Sequence, residues 1–225
     1  VDVGDLDGDD IAEIVITDYA GQPTRLYQRS SASQPFSTVP LPVESTAFVS
    51  WAVGLVDFDL DGDTDLFQTN GEVLDLGADV SQNQLFLNDG TGALAFEPPR
   101  AGSALAAAGT HRGAAFLDYD DDGDIDVAVG VNGGAAKLLE NVGAAGRHVR
   151  VDLEPTDVGA VVIARFGSSR ATRYRVDGGG YLGTSDPRLL MGIGHASEAE
   201  VTVTYGDGRI AVGRVRAGEA WRPGR

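Results

Sequence analysis

Apolar and β-branched residues fall into short runs broken by clusters of Gly, Asp, Asn and Ser, the pattern of strands joined by turns. FVSWAVGLV (48–56) and GAAFL (113–117) each lead into an acidic stretch, and IVITD (14–18), LFQTN (66–70) and VAVGV (127–131) follow close behind one. NQLFLNDGTGALAF (83–96) adds a second strand pair around a hairpin turn at NDGTG. From residue 147 the texture changes to HVRVDLEP, AVVIARFGSSRATRYRV and EVTVTYGDGRIAVGRV, alternating strands with hairpin turns at GSS and GDG. The pattern predicts an all-β chain with almost no helix.

The acidic stretches are variants of one motif. DFDLDGDTD (57–65) places Asp57, Asp59, Asp61, Asp63 and Asp65 at every second position, and DYDDDGDID (118–126) repeats the register with Asp118, Asp120, Asp122, Asp124 and Asp126. DLDGDDIAE (5–13) is a degraded copy, with Asp5, Asp7, Asp9 and Glu13 at positions 1, 3, 5 and 9. There Asp10 stands in place of the glycine, tolerable because Asp visits left-handed backbone more readily than most residues. Carboxylates crowded this closely repel one another, so each loop invites a cation. Several hard oxygens converging on one point suit Ca²⁺ better than Mg²⁺, which demands near-octahedral order. An EF-hand is excluded, because position 12 is Ile16, Gln68 or Val129 instead of Glu, and a strand follows instead of a helix.

The loops begin at residues 5, 57 and 118, and four short strands at a period of tens of residues are the signature of β-propeller blades. These residues resemble the FG-GAP/VCBS repeat, the calcium-binding blade also found in integrin α chains. Three blades are expected at 1–48, 49–107 and 108–146, the first incomplete. The resemblance implies up to three Ca²⁺ ions, held by side chains at positions 1, 3, 5 and 9 and by the backbone carbonyls of Ile11, Asp63 and Asp124 at position 7. Aromatics in and beside the blade strands, such as Trp51 and Phe58, are expected to pack in the core.

Charge sharpens the boundary near Gly146. Of a formal net charge of −17, residues 1–146 carry 25 acids against 5 bases, whereas residues 147–225 carry 9 acids against 12 arginines. The three loops hold 16 of the 34 carboxylates, so metal ligation accounts for much of the acidity. A negative blade region disfavours nucleic acid, and the arginines beyond it lack an aromatic stacking pattern. Residues 147–225 are expected to form an antiparallel β-sandwich packed against the third blade. Their sequence resembles the ASPIC/UnbV domain that follows such blades in the cartilage acidic protein family. Tyr181, Leu182, Ser185, Asp186, Arg188, Leu189, Gly192 and Gly194 match its pattern, whereas Leu190, Met191, Ile193, Tyr205 and Gly206 depart from it.

No run of about 18 apolar residues predicts a membrane span, and the absence of cysteine removes thiol chemistry. His111, His148 and His195 stand apart from any nucleophile motif, no phosphate or dinucleotide fingerprint occurs, and the glycine-rich GVNGG and DGGGY are expected as loops. With Met191 the only methionine and four residues before the first acidic loop, the chain is expected to be the C-terminal part of a longer protein. The resulting expectation is a non-enzymatic, extracytoplasmic interaction or adhesion module with structural calcium and an unidentified protein or carbohydrate partner. The alternative is part of a bacterial natural-product enzyme, of the enediyne type, whose active site lies outside this fragment.

Overall fold

The computed structural model describes residues 1–74, 80–178 and 180–224; Gly179 of the DGGGY segment lies outside them. The described chain is all-β, with one short 3-10 turn at Val43–Thr46. Two four-stranded antiparallel sheets come first: β1 (Asp2–Gly4), β2 (Glu13–Ile16), β3 (Arg25–Gln28) and β4 (Ser37–Pro40), then β5 (Ser50–Val56), β6 (Asp65–Asn70), β7 (Gln84–Asn88) and β8 (Leu94–Glu97). A three-stranded sheet follows, from β9 (His111–Leu117), β10 (Asp126–Val131) and β11 (Lys137–Leu139). The first unit therefore has four strands, β1 being shortened to three residues, and it is the third unit that has three.

The middle sheet is buried on both faces, which explains why β6 has no exposed position. Alternate residues of a strand point to opposite sides. Leu66 packs with Leu6, Val15 and Leu26 of the first unit, and its neighbour Phe67 packs with Phe116 and Val127 of the third. The polar residues of β6 follow the same alternation. Gln68 accepts a 2.8 Å hydrogen bond from Thr24 of the first unit, and Thr69 donates to the carbonyl of Arg112 in the third. Each fully buried large side chain in these cores contributes about 1.5–3 kcal/mol. Phe58 joins Phe67 and Phe116 in the core as expected, but Trp51 lies at the edge, with the Arg112 guanidinium 4.1 Å above its ring and Tyr181 beside it.

Beyond residue 147, β12 (His148–Val151), β15 (Leu189–Gly192) and β18 (Ala220–Trp221) form one sheet, and β13 (Val161–Phe166), β14 (Ser169–Tyr174), β16 (Glu198–Thr204) and β17 (Ile210–Arg216) form a second. Val162, Ala164, Val201 and Val203 meet Val149, Val151 and Met191 in one core between them. The GSS and GDG turns join β13 to β14 and β16 to β17. The first sheet is not wholly antiparallel, because β18 returns beside β12 in parallel register, with Arg150 opposite Ala220 and Val151 opposite Trp221. This region is not confined to the third unit. It lies across the acidic loops of all three, as the contacts below establish.

Candidate metal sites

Each acidic loop joins the first and second strands of its unit and is closed by the same strand pair: Gly4 opposite Glu13, Val56 opposite Asp65, Leu117 opposite Asp126. Position 9 is thus the first residue of the outgoing strand. Its carboxylate turns back to accept the position-2 N–H, from Leu6 at 2.8 Å, Phe58 at 2.8 Å and Tyr119 at 3.0 Å. In the second and third loops its other oxygen accepts the N–H of Asn88 at 2.9 Å and of Asn141 at 2.8 Å. Within each loop the position-5 N–H donates to the position-3 carboxylate at 3.3 Å. The position-7 N–H of Ile11, Asp63 or Asp124 donates to the position-5 carboxylate at 2.8, 2.9 or 3.1 Å.

These bonds need two left-handed residues per loop, at positions 4 and 6. They are Gly8 and Asp10 (φ 73° and 68°), Leu60 and Gly62 (61° and 107°), and Asp121 and Gly123 (60° and 93°). The missing position-6 glycine of the first loop is therefore matched by one at position 4. Leu60 is the costly case, because a left-handed L-residue carries roughly 1–2 kcal/mol of strain.

The loops bring one oxygen from each of Asp5, Asp7 and Glu13, of Asp57, Asp59 and Asp61, and of Asp118, Asp120 and Asp122 to within 4.8 Å of one another. Asp9, Asp63, Asp65, Asp124 and Asp126 lie outside these convergent sets, and Ile11 carries no ligating side chain. Four buried carboxylate oxygens have no donor within reach: Glu13 Oε1, Asp57 Oδ1, Asp118 Oδ1 and Asp124 Oδ1. Burial of a carboxylate without compensation disfavours its charge. Burial accordingly pushes Glu13, Asp57 and Asp124 up to about 7, Asp65 to about 8 and Asp63 to about 6, with neighbouring aspartates adding to the rise. At Asp57 the Arg173 guanidinium pulls the other way without reversing it. Orphaned, mutually repelling oxygens are what a hard cation would satisfy, and the donor set contains only oxygen.

The arginine-rich region covers these loops from outside. At the first, Arg170 pairs with Asp10 at 3.1 Å and donates to the carbonyl of Gly8, while Thr172 Oγ1 donates to Asp10 at 2.8 Å. At the second, Arg173 Nη2 and the Gly192 N–H donate to Asp57 Oδ2 at 3.0 and 3.1 Å. The Gly194 N–H donates to the carbonyl of Leu60 at 2.9 Å. A Cβ on Gly192 would fall 2.3 Å from Asp57 Oδ2, so only glycine permits this approach. At the third, Arg188 pairs with Asp121 at 3.1 Å and donates to the carbonyl of Asp118. His148 packs so closely that a Cβ on Gly123 would lie 1.8 Å from its Cε1.

Most of the residues that carry the ASPIC/UnbV resemblance turn out to be contact residues. Tyr181 meets Trp51, Ser185 and Asp186 bond to the Phe116 backbone, Arg188 reaches the third loop, and Gly192 and Gly194 reach the second. Sequence reasoning missed Arg170, Arg173, Asn88 and Asn141. The asparagines do carry a signal, since Asn88 ends the third strand of its unit and Asn141 stands two residues beyond that of the next, in FLND and LEN. Asn88 Nδ2 donates to the carbonyl of Leu6, and Asn141 Nδ2 to that of Phe58, each in the preceding unit's loop. The arginines carry none, because their targets are set by tertiary packing. Of the histidines, His111 is fully buried with Nε2 3.0 Å from Lys137 Nζ, and His148 is held below its ordinary pKa by burial.

Known families fit this geometry. Residues 72–129 match the model described as an FG-GAP-like repeat, and residues 153–219 match that described as ASPIC and UnbV. The two matches fall on separate stretches of the chain, one on either side of Gly146. It is similar to cartilage acidic protein 1 of Mus musculus, 29% identical over 224 residues, and of Homo sapiens, 28% identical over 240. Those alignments cover 93% and 97% of this chain but 34% of each relative, so the chain spans about a third of their length. The FG-GAP match runs from β7 to β10 and takes in the third acidic loop. The ASPIC and UnbV match begins after β12, which the structure nonetheless places inside the same two-sheet core. Among the described residues, no helix is long and apolar enough to cross a membrane.

Proposed function

We propose that this chain is a calcium-binding interaction module that works outside the cytoplasm, with residues 1–48, 49–107 and 108–146 as β-propeller blades and residues 147–225 as a β-sandwich seated on them. The carrying observation is the fully buried Asp57, whose Oδ2 is held by three donors while Oδ1 meets none. Carboxylates at positions 1, 3 and 5 supply the core of the second and third ligand sets, and Asp5, Asp7 and Glu13 that of the first. The carbonyls of Ile11, Asp63 and Asp124 add a neutral ligand, and Glu13, Asp65 and Asp126 combine loop closure with a remaining share of coordination. Bound Ca²⁺ supplies charge neutralisation and a fixed loop shape; its role is structural.

Placement outside the cytoplasm rests on the name of the relatives, which are proteins of cartilage, and on calcium being abundant there. The partner is a protein or a carbohydrate; Trp51 is already faced by Arg112 and Tyr181, so a sugar would stack on the exposed Tyr19 or Tyr119 instead. Calorimetric titration of the chelator-treated chain tests the metal reading. The expected result is Ca²⁺ binding with a rise in melting temperature, roughly 0.4–1.4 kcal/mol per site when free Ca²⁺ is about one to ten times Kd. No binding at millimolar Ca²⁺, with the fold intact, would make the loops solvated turns.

A further inference from the structure

The three loops divide their residues between two directions. Positions 1, 3 and 5 of the second and third loops, and positions 1, 3 and 9 of the first, send carboxylates toward one another. Positions 4 and 6, the left-handed pair, face the arginine-rich region: Gly8 and Asp10 meet Arg170, Leu60 meets Gly194, Gly62 lies against Phe166, Asp121 meets Arg188, and Gly123 lies against His148. Two inward carboxylates are also touched from outside: Asp5 by the Thr172 hydroxyl, and Asp57, which gives Oδ2 to Arg173 and Gly192 and keeps Oδ1 unpartnered.

We infer that the C-terminal region is a working part of the metal sites: its seat on the loops and the binding of the ion are one linked equilibrium, each strengthening the other. This rests on the calcium reading above. The ion fixes the turn that aims positions 4 and 6 outward, and the outer contacts hold the same turn from the other side. Without the ion, nearby carboxylates repel and the turn that forms the seat loosens. Reciprocity follows because a binding free energy coupled in one direction is coupled equally in the other. Arg170, Arg173 and Arg188, one per loop, act as positioning residues that hold the sites without ligating the ion. The sign is positive because Arg170 and Arg188 pair with Asp10 and Asp121, which stand outside the convergent sets, and the Asp57 oxygen that Arg173 holds is not the unpartnered one.

Amide hydrogen exchange on the full chain, with Ca²⁺ or with chelator, tests the linkage. The N–H groups of Gly192, Gly194 and Asp186 donate across the junction to Asp57, Leu60 and Phe116, so their exchange reports the seat. Chelation is expected to speed their exchange about tenfold, within the usual range of such couplings. Val203, paired with Val162 inside the C-terminal sheet, should be unaffected. In the same titrations Arg173→Met is expected to weaken Ca²⁺ binding about tenfold, as loss of an outer-shell partner does, with unchanged circular dichroism. Gly192→Ala should do the same if it folds. Calcium binding with unchanged exchange at the three junction amides, or tighter binding by Arg173→Met, would overturn the linkage and leave the calcium reading standing. Absence of calcium binding would overturn both.

Discussion

Residues 57–65 and 118–126 spell the same nine-residue motif, close on the same strand pair and make the same internal hydrogen bonds, yet they occupy different environments. In the second loop Asp57 is 2% exposed, gripped by Arg173 and Gly192, and Leu60 is buried in the core shared with the third unit. In the third loop Asp120, Asp121 and Asp122 are exposed, and Arg188 reaches only a side chain at position 4 and a backbone carbonyl. The motif therefore fixes the turn, while the neighbours fix how much its charges cost. The strained Leu60 marks the difference: its left-handed backbone presents the carbonyl that Gly194 meets.

The largest separation between the two loops should come from removing their first aspartates. Asp57→Ala strands the mostly buried Arg173 and the N–H of Gly192, and breaking a buried pair in this way costs about 3–5 kcal/mol. Asp118→Ala removes a carboxylate that forms no ion pair among the described residues, where Arg188 reaches only its backbone carbonyl, and should cost about 1 kcal/mol, the typical value for a point substitution. Denaturant unfolding without calcium measures both, and equal losses would erase the distinction.

Next in size is the pH dependence of the ion-free chain. Asp57 and Asp124 are pushed up to about 7 and Asp65 to about 8, so the folded chain keeps protons that the unfolded chain releases near pH 4. That contribution is fully present below the unfolded pKa and is lost as pH rises through the folded values. The melting temperature in chelator should fall between about pH 5 and pH 8, and calcium should flatten the slope by holding the carboxylates ionised. A rise over that window would contradict the burial of these groups.

Asparagine truncation sharpens the comparison further. Asn88 Nδ2 donates to the carbonyls of both Leu6 and Thr64, whereas Asn141 Nδ2 donates to that of Phe58 alone. Leaving buried acceptors unpaired costs about 1–3 kcal/mol, so Asn88→Ala should lower the unfolding midpoint more than Asn141→Ala. The smallest effect belongs to Asp121→Asn. Its pair with Arg188 is solvent-facing, with Asp121 73% exposed, and such pairs contribute about 0–1 kcal/mol. A loss above that range at ordinary salt would mean the third loop is gripped as firmly as the second.

Much of this was legible in the sequence, for local reasons. Alternating aspartates around a left-handed residue force a turn whatever surrounds it, and apolar runs flanking that turn force strands, so the loops, their register and the change of texture at Gly146 could be read directly. Asp10 in the glycine position was also legible, because its conformational preference is its own. What could not be read was the direction of the arginines. RFGSSRATRYR is a basic alternating strand in any fold. That Arg170 meets the first loop and Arg173 the second depends on how two sheets far apart in sequence come together.

By itself, the sequence determined the all-β class, the three acidic turns and the residues available as ligands, since these follow from strand alternation and turn chemistry over a few neighbouring positions. Only the tertiary structure decided that Asp57 would be buried and Asp120 exposed, that Asn88 and Asn141 would tie each unit to the one before, and that the C-terminal region would lie across all three loops. Burial, counter-charge and reach between distant segments are properties of the packed chain, and a motif that repeats along the sequence acquires different energies wherever the packing around it differs.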